Sequence, residues 1–243
     1  MPSVTAGGGF GEGAGGSLVV LDRGEGVNGE LVLRTDGSDL EVIANGVFLM
    51  DTRLTVSERL MVSATLARVP PGARLLVGGL GVGASVVQAL ESGVGRVDVV
   101  EVEALVVRWW ERYFRAHWGL SGRDLDRLRV IRADVGEHLS TTQETYDAIV
   151  LDTDNGPEWL VHERNAGLYA VPALLVAARR LAPGGSCVYW SASPSDAFEG
   201  RLRQVYADIE RVDVGRFDVG RADASPDVLY ACRRPLDRSP GDR

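Results

Sequence analysis

The sequence has few cysteines and lacks a long apolar run. Its two cysteines among 243 residues, Cys187 and Cys232, exclude a disulfide framework and offer no zinc-binding spacing, so no metal site is predicted. A membrane helix needs about eighteen consecutive apolar residues, and the longest candidate, Ala170 to Ala178, contains Pro172. No basic residue stands ahead of an apolar core near the amino terminus, so a secretory signal is not expected. We therefore expect a protein of the reducing cytoplasm that does not bind a membrane.

The chain also has fewer basic than acidic residues. The chain has 26 Lys and Arg against 34 Asp and Glu, a formal net charge of -8. Binding to nucleic acid needs clustered basic residues that neutralise phosphates, so this balance disfavours it. An acidic protein suits a cationic small molecule such as a polyamine, although acidity also serves solubility. With 45% hydrophobic residues, the chain can bury one core of the α/β type.

A glycine-rich turn between a strand and a helix is the most informative feature that is present. The apolar run Arg74 to Val77 predicts a strand buried on both faces, and Ala84 to Leu90 has apolar residues at helical spacing. Between these segments stand Gly78, Gly79, Gly81 and Gly83. Glycines permit positive φ and a close ligand, and the helix start offers free N–H groups. The spacing fits both the dinucleotide pattern G-x-G-x-x-G/A and the tighter G-x-G-x-G of S-adenosylmethionine enzymes.

An acidic residue follows the second predicted strand. Glu101 comes directly after the run Arg96 to Val100, about twenty positions beyond Gly81, where a carboxylate can accept hydrogen bonds from both ribose hydroxyls. Glu103 better fits the solvated start of a helix, where the helix dipole favours an acid. The pattern therefore predicts a nucleoside site at Glu101.

The third predicted strand, Arg129 to Arg132, leads to another acid, Asp134. In methyltransferase-like folds this position faces the adenine amine. Asp134 also suits a helix N-cap, since Glu137 stands at the spacing of a capping box, and both roles can hold together. Further on, a Pro-Gly-Gly turn within Leu181 to Trp190 leads into another buried strand.

The order of elements predicts the domain organisation. Residues 1–16 are glycine-rich and expected to be disordered. Residues 17–52 have short β-like runs separated by Asn-Gly and Asp-Gly turns, which predicts a small antiparallel β-domain. Alternating strands and helices over residues 53–233 predict a mostly parallel sheet, closed by an antiparallel edge after a helix from Ser195 to Ala207. A first helix is expected from Thr55 to Arg68, with Glu58 completing a capping box, and residues 234–243 are expected to be loose.

These motifs resemble the spermidine synthase (polyamine aminopropyltransferase) family, within the class I methyltransferase fold. The resemblance spans roughly residues 17–233 and rests on four elements: Gly78-Gly79, Val100 to Glu103, Ala133-Asp134, and Tyr146-Asp147 running on to Asp152. It implies a Rossmann-like α/β sheet. It also implies that Glu101 holds ribose, that Asp134-Val135 meets adenine, and that Asp152 is the catalytic carboxylate.

The sequence departs from the family's pattern at three places. The family's glycine loop has an aspartate facing the donor's free amine, and here that position is Gly81. Its Tyr-His/Gln-Glu element is reduced to Val56-Ser57-Glu58. Its D-S-S-D-P loop is replaced by residues 152–157, so the second acid, Asp154, comes one residue earlier. Because Gly81 removes both an attraction for an ammonium and a repulsion of a carboxylate, we expect no strong preference for decarboxylated S-adenosylmethionine over S-adenosylmethionine.

Asp152 and Asp154 are the predicted catalytic residues. A carboxylate can orient an ammonium and receive its proton as the new N–C bond forms, and a second carboxylate nearby would raise one pKa and make a better base. Asp-Asn-Gly-Pro is also an ordinary turn sequence. Trp159, His162 and Tyr169 follow and could wall an acceptor pocket, but residues of this type are more often packing groups. The pair Trp109-Trp110 is expected to pack in a core or an interface.

The predicted function is therefore transfer of an aminopropyl or other alkyl group from an adenosyl donor to an amine of a small molecule. The alternatives are a small-molecule methyltransferase using the same pocket, a non-catalytic protein that binds adenosyl ligands, and a nicotinamide oxidoreductase. A homodimer is an additional expectation, from the exposed edges of the β-domain.

Overall fold

The computed structural model describes residues 18–153, 156–157, 167–215 and 227–236. The predicted head at residues 1–16 and most of the predicted tail lie outside these ranges, as does Asp154. None of the helices in the described ranges is both long enough and apolar enough to cross a membrane.

Four strands near the amino terminus form the small antiparallel sheet that the sequence predicts. They are β1 (Val19–Gly26), β2 (Gly29–Thr35), β3 (Leu40–Ala44) and β4 (Val47–Asp51), in that spatial order. The predicted turns are confirmed, because Gly37 and Gly46 have positive φ between consecutive strands and Gly29 has positive φ at the start of β2. Such turns match the twist of the strands they join.

Helix α1 (Val56–Leu66) joins this sheet to the rest of the molecule. The prediction of a helix here is confirmed, but the capping box is wrong. The N-cap residue, Thr55, makes no side-chain cap hydrogen bond, and Glu58 instead accepts a hydrogen bond from Ser57 Oγ at 2.8 Å. The Thr55 backbone has ψ of 17°, far from the extended conformation usual at this position.

Seven strands form the main sheet, in the order β10-β11-β9-β8-β5-β6-β7. They are β5 (Arg74–Gly78), β6 (Arg96–Glu101), β7 (Leu128–Arg132), β8 (Tyr146–Leu151), β9 (Leu181–Ser191), β10 (Tyr206–Gly215) and β11 (Asp227–Pro235). Strands β5 to β9 pair in parallel, and β11 pairs antiparallel with both β9 and β10. The parallel sheet with an antiparallel edge is therefore confirmed.

Helices cover both faces of the main sheet. They are α2 (Ala84–Glu91), α3 (Ala104–Trp109) continued by a π-helical turn (Trp110–Phe114) and α4 (Arg115–His117), α5 (Gly122–Asp126), α6 (Val135–Thr141), α7 (Val171–Arg179) and α8 (Asp196–Leu202). One core lies between the sheet and α1, α2 and α3, and includes residues of the small sheet; we call this side the α1 face. The other core lies under α6, α7 and α8, and we call it the α7 face. Trp109 and Trp110 are buried in the first core, as expected of packing residues.

The predicted end of one helix is wrong. The helix expected from Ser195 to Ala207 ends at Leu202, because Val205 closes a turn onto the Leu202 carbonyl and Tyr206 begins β10 by pairing with Pro235. The same pairing carries β11 to Pro235. The difference arises from pairing between distant strands, which local periodicity does not reveal.

Candidate active site

The glycine loop that follows β5 lies at the carboxyl end of the parallel sheet. Gly79, Gly81 and Gly83 have φ of +97°, +52° and +90°, a region that few other residues adopt. A Cβ at Gly79 would stand 2.3 Å from the Asp152 carbonyl oxygen, and one at Gly83 would stand 2.2 Å from the Trp110 ring. The loop therefore needs glycine for backbone conformation and for close packing against β8 and the π-helical turn.

Glu101, at the end of β6, holds this loop in place. Its Oε2 accepts a hydrogen bond from the Leu80 backbone N–H at 2.8 Å, and its Oε1 accepts one from the Glu103 N–H at 2.7 Å. The side chain is buried, and burial raises the pKa of Glu101 against the opposing effect of these two hydrogen bonds. The predicted ribose-binding acid thus lies directly beside the glycine loop.

Glu103 has a different role from the one that its position suggests. It precedes α3 but makes no side-chain cap hydrogen bond. Its carboxylate instead accepts the Val27 N–H, at 2.9 and 3.0 Å to the two oxygens, and so connects the helix start to the β1–β2 turn of the small sheet. No local pattern in the chain indicates this long-range contact.

Asp134 is the N-cap of α6, as one of its two predicted roles requires. Its side chain accepts the Glu137 N–H at 2.9 Å. The next residue, Val135, is buried, and its Cγ2 would lie 3.0 Å from a Cβ built at Gly78. Asp134 and Val135 therefore stand at the same edge of the sheet as the glycine loop, one strand beyond Glu101.

Asp152 follows β8 and is fixed to the same loop. Its N–H donates to the Gly78 carbonyl at 3.0 Å, and its own carbonyl lies against Gly79. Burial of the carboxyl group, together with the negative charge of Glu58 in α1, raises the pKa of Asp152 from 3.8 to about 7. The carboxylate expected beside Asp152, Asp154, lies outside the described residues. Among the described residues the carboxylate whose charge acts on Asp152 is Glu58, which sequence reasoning missed.

Gly156, beyond Asp152, lies close to the end of β9. It has φ of +102°, which suits the turn sequence Asp-Asn-Gly-Pro, and a Cβ there would stand 2.3 Å from Ser191 Oγ. Asp154, Trp159 and His162 lie outside the described residues. Tyr169 is buried and packs edge to face against Phe198, with 5.4 Å between ring centroids, so it serves the core of the α7 face.

Met50, in β4, lies between the small sheet and the glycine loop. Its Sδ would lie 3.3 Å from a Cβ built at Gly81. The position at which the spermidine synthase pattern places an aspartate is therefore bounded by a thioether. Met50 is partly buried and packs with the core of the α1 face.

A second polar cluster lies at the opposite, amino end of the strands. Asp98 is fully buried and is bound by Arg74 at 2.8 Å and Arg96 at 3.0 Å. Burial opposes ionisation of Asp98, but the arginines outweigh it and lower its pKa. A cleft of about 490 Å³ adjoins this cluster, between β7 and α6. It is remote from Glu101 and Asp152, and we assign it no part in the site.

Groups of three or more side chains able to hold a metal ion are absent from the described ranges. The sites above are built from carboxylates, backbone amides and apolar groups.

Comparisons with known proteins find similar structures but no matching sequence. No protein-family model and no curated protein sequence matches the chain. A spermidine synthase in complex with the transition-state analogue AdoDATO superposes with a TM-score of 0.71 at 14% identity, over 88% of this chain and 73% of that one. The spermidine synthase of Thermotoga maritima gives 0.66 at 13% identity, over 88% and 72%.

A methyltransferase is also similar. Human methyltransferase-like protein 13, in complex with SAH, gives a TM-score of 0.52 at 19% identity, over 73% of this chain and 79% of that one. The chain thus has the α/β fold of the class I methyltransferases, with a separate four-stranded antiparallel sheet before it.

Proposed function

We propose that the chain is a transferase that moves an alkyl group from S-adenosylmethionine, or from its decarboxylated form, to an amine of a small molecule. The observation that carries this proposal is the hydrogen bond between Glu101 and the glycine loop, with Asp152 at the next strand end on the other side of β5. Similar proteins bound to AdoDATO and to SAH support an adenosyl ligand.

Glu101 is the proposed ribose ligand. A carboxylate has about four lone-pair positions, and two N–H groups use one on each oxygen. The remaining positions can accept both ribose hydroxyls. In this proposal the backbone of Gly78, Gly79 and Gly81 lines the nucleoside site, and Asp134 and Val135 contact the adenine ring.

Asp152 is the proposed base. An amine with a pKa of about 10 arrives mostly as an ammonium, which must lose a proton before it can attack. A carboxyl group with a pKa of about 7 is poised to take that proton near neutral pH. The amine nitrogen then bonds to the carbon beside the sulfonium, and the carbon–sulfur bond breaks with its electron pair going to sulfur. The nearby negative charge of Glu58 favours a cationic acceptor in this place.

The remaining rate acceleration would come from holding the donor and the acceptor amine in a reactive orientation. The glycine loop and Asp152 are joined by the Gly78–Asp152 hydrogen bond, so donor and base would be held by one rigid unit. Asp154 would assist Asp152 if it turns toward the same acceptor.

A thermal-shift panel followed by product analysis tests the proposal. Methylthioadenosine or S-adenosylhomocysteine at about one hundred times its Kd should stabilise the protein by about 2.7 kcal/mol, whereas NADH should have no effect. Mass spectrometry of a mixture of amines incubated with both donors should then detect an alkylated amine. No stabilisation by either adenosyl product would overturn the proposal.

A small-molecule methyltransferase is the second candidate, and the environment of Gly81 favours it. Position 81 has no acid, and the Met50 thioether lies against it. No negative charge at this position would therefore repel the carboxylate of S-adenosylmethionine. The mass of the product separates the two, since methyl and aminopropyl groups differ plainly.

A further inference from the structure

Trp190, near the end of β9, lies beside Asp152. Leu151 of β8 pairs with Tyr189 of β9, so the residues that follow them, Asp152 and Trp190, are lateral neighbours. Adjacent strands stand about 4.8 Å apart, which places the two side chains within reach of one ligand when they share a face.

The two side chains do share a face. Leu151 and Tyr189 pack in the core of the α7 face, and side chains alternate along a strand. Trp190 accordingly packs against the core of the α1 face, and Asp152 interacts with Glu58 of α1. An aromatic wall therefore adjoins the proposed base on the side of the sheet that α1 covers.

The indole N–H of Trp190 is buried and has no hydrogen-bond partner among the residues that the structure describes. Other tryptophans are satisfied: Trp109 donates to Asp22 at 2.9 Å, and Trp118 donates to the Val82 carbonyl at 2.7 Å. A buried donor without a partner costs about 1–3 kcal/mol. Arg74 Nε and Arg201 Nε are also buried without a partner, but of these three donors only Trp190 adjoins the proposed base, where a bound ligand would complete its hydrogen bond.

We propose that the Trp190 N–H donates a hydrogen bond to the acceptor substrate, and that this substrate is an amine carrying a neutral oxygen, as an ether, hydroxyl or carbonyl. The inference rests on the proposed function and narrows its substrate class. An indole N–H can only donate, so it cannot bind an ammonium. A carboxylate could accept the bond, but the charges of Asp152 and Glu58 would repel it. A simple polyamine leaves the N–H unpaired.

Matched diamines test this inference on the full chain. Cadaverine and its ether analogue, in which the central methylene is replaced by oxygen, have nearly the same length and charge. Calorimetry in the presence of methylthioadenosine should show the ether binding about five- to tenfold more tightly to the native protein, the usual effect of one hydrogen bond. Trp190→Phe should abolish this preference. Trp109→Phe, which removes an indole N–H paired elsewhere, should keep it.

The outcomes separate the two proposals. If methylthioadenosine does not bind, the proposed function fails and this inference fails with it. If methylthioadenosine binds but the ether is not preferred, or the preference survives Trp190→Phe, the inference alone is overturned. NMR of the 15N-labelled native protein tests the same point without a variant. The chain has five tryptophans, and one indole N–H resonance should move downfield when the ether binds but not when cadaverine binds.

Discussion

The Glu101 carboxylate accepts the Leu80 backbone N–H at 2.8 Å, and this contact joins the end of β6 to the glycine loop after β5. Glu101 also binds the Glu103 N–H through its other oxygen, so each oxygen has a backbone partner. A residue that organises the loop is thereby also the proposed nucleoside ligand, and loss of its charge should affect both stability and binding.

Glu101→Gln should destabilise the protein by about 1–3 kcal/mol. The glutamine oxygen can accept only one of the two backbone hydrogen bonds, so the other buried N–H would face the NH2 group and have no acceptor. Affinity for methylthioadenosine should fall at least tenfold. Urea denaturation and calorimetry measure the two effects. Glu103→Gln is the control: it keeps an acceptor for Val27 and should bind methylthioadenosine normally. Equal losses in both variants would contradict the assigned role.

The environment of Asp152 predicts a pH-dependent stability. Its pKa rises from 3.8 to about 7 on folding, so between these values the folded state holds a proton that the unfolded state has lost. Stability from this group is complete below about pH 4 and is lost as pH rises toward 7. Asp152→Asn, which imitates the protonated form, should lack this component. Urea denaturation across pH 4–8 should therefore show the native protein losing stability relative to the variant; parallel curves would disprove the shift.

Glu58 should set the pH dependence of turnover. Removing its charge in Glu58→Gln lowers the pKa of Asp152, because the like charge that raises it is gone. Since the base must be deprotonated, kcat/KM should fall below about pH 7 in the native protein, and this limb should move to lower pH in the variant. Asp152→Asn should abolish turnover but still bind methylthioadenosine. Turnover that survives Asp152→Asn would remove Asp152 from the mechanism.

The glycine loop, the acids at the strand ends and the small antiparallel sheet could be predicted because each leaves a local pattern in the chain. Gly79 and Glu101 belong to one spacing motif, and parallel strands bring their carboxyl ends to one edge. Glu58 could not be assigned, because the effect of its charge on Asp152 depends on how α1 packs over β8. Trp190 gave no signal, since an unpaired N–H is visible only when every neighbour is known.

Gly81 should determine the choice of donor. With no acid at this position, calorimetry should show affinities for S-adenosylmethionine and its decarboxylated form that differ by less than about tenfold. Gly81→Asp should shift the balance toward the decarboxylated form, because the new carboxylate attracts its ammonium and repels a carboxylate. Asparagine tolerates the positive φ about as well as aspartate, so Gly81→Asn is the matched uncharged control. A large native preference for the decarboxylated donor would refute this prediction.

Gly79→Ala should be more damaging than an alanine at another glycine of similar φ. Gly46 has φ of +80° and an added Cβ there would meet nothing within 4 Å, so Gly46→Ala should cost only the conformational penalty of about 1–2 kcal/mol. At Gly79 the Cβ would collide with the Asp152 carbonyl, which is part of the backbone and cannot rotate away. The loop would have to separate from β8, with loss of both stability and methylthioadenosine binding. Urea denaturation of the two variants gives the comparison; equal costs would show that the loop and β8 are not in the close contact described.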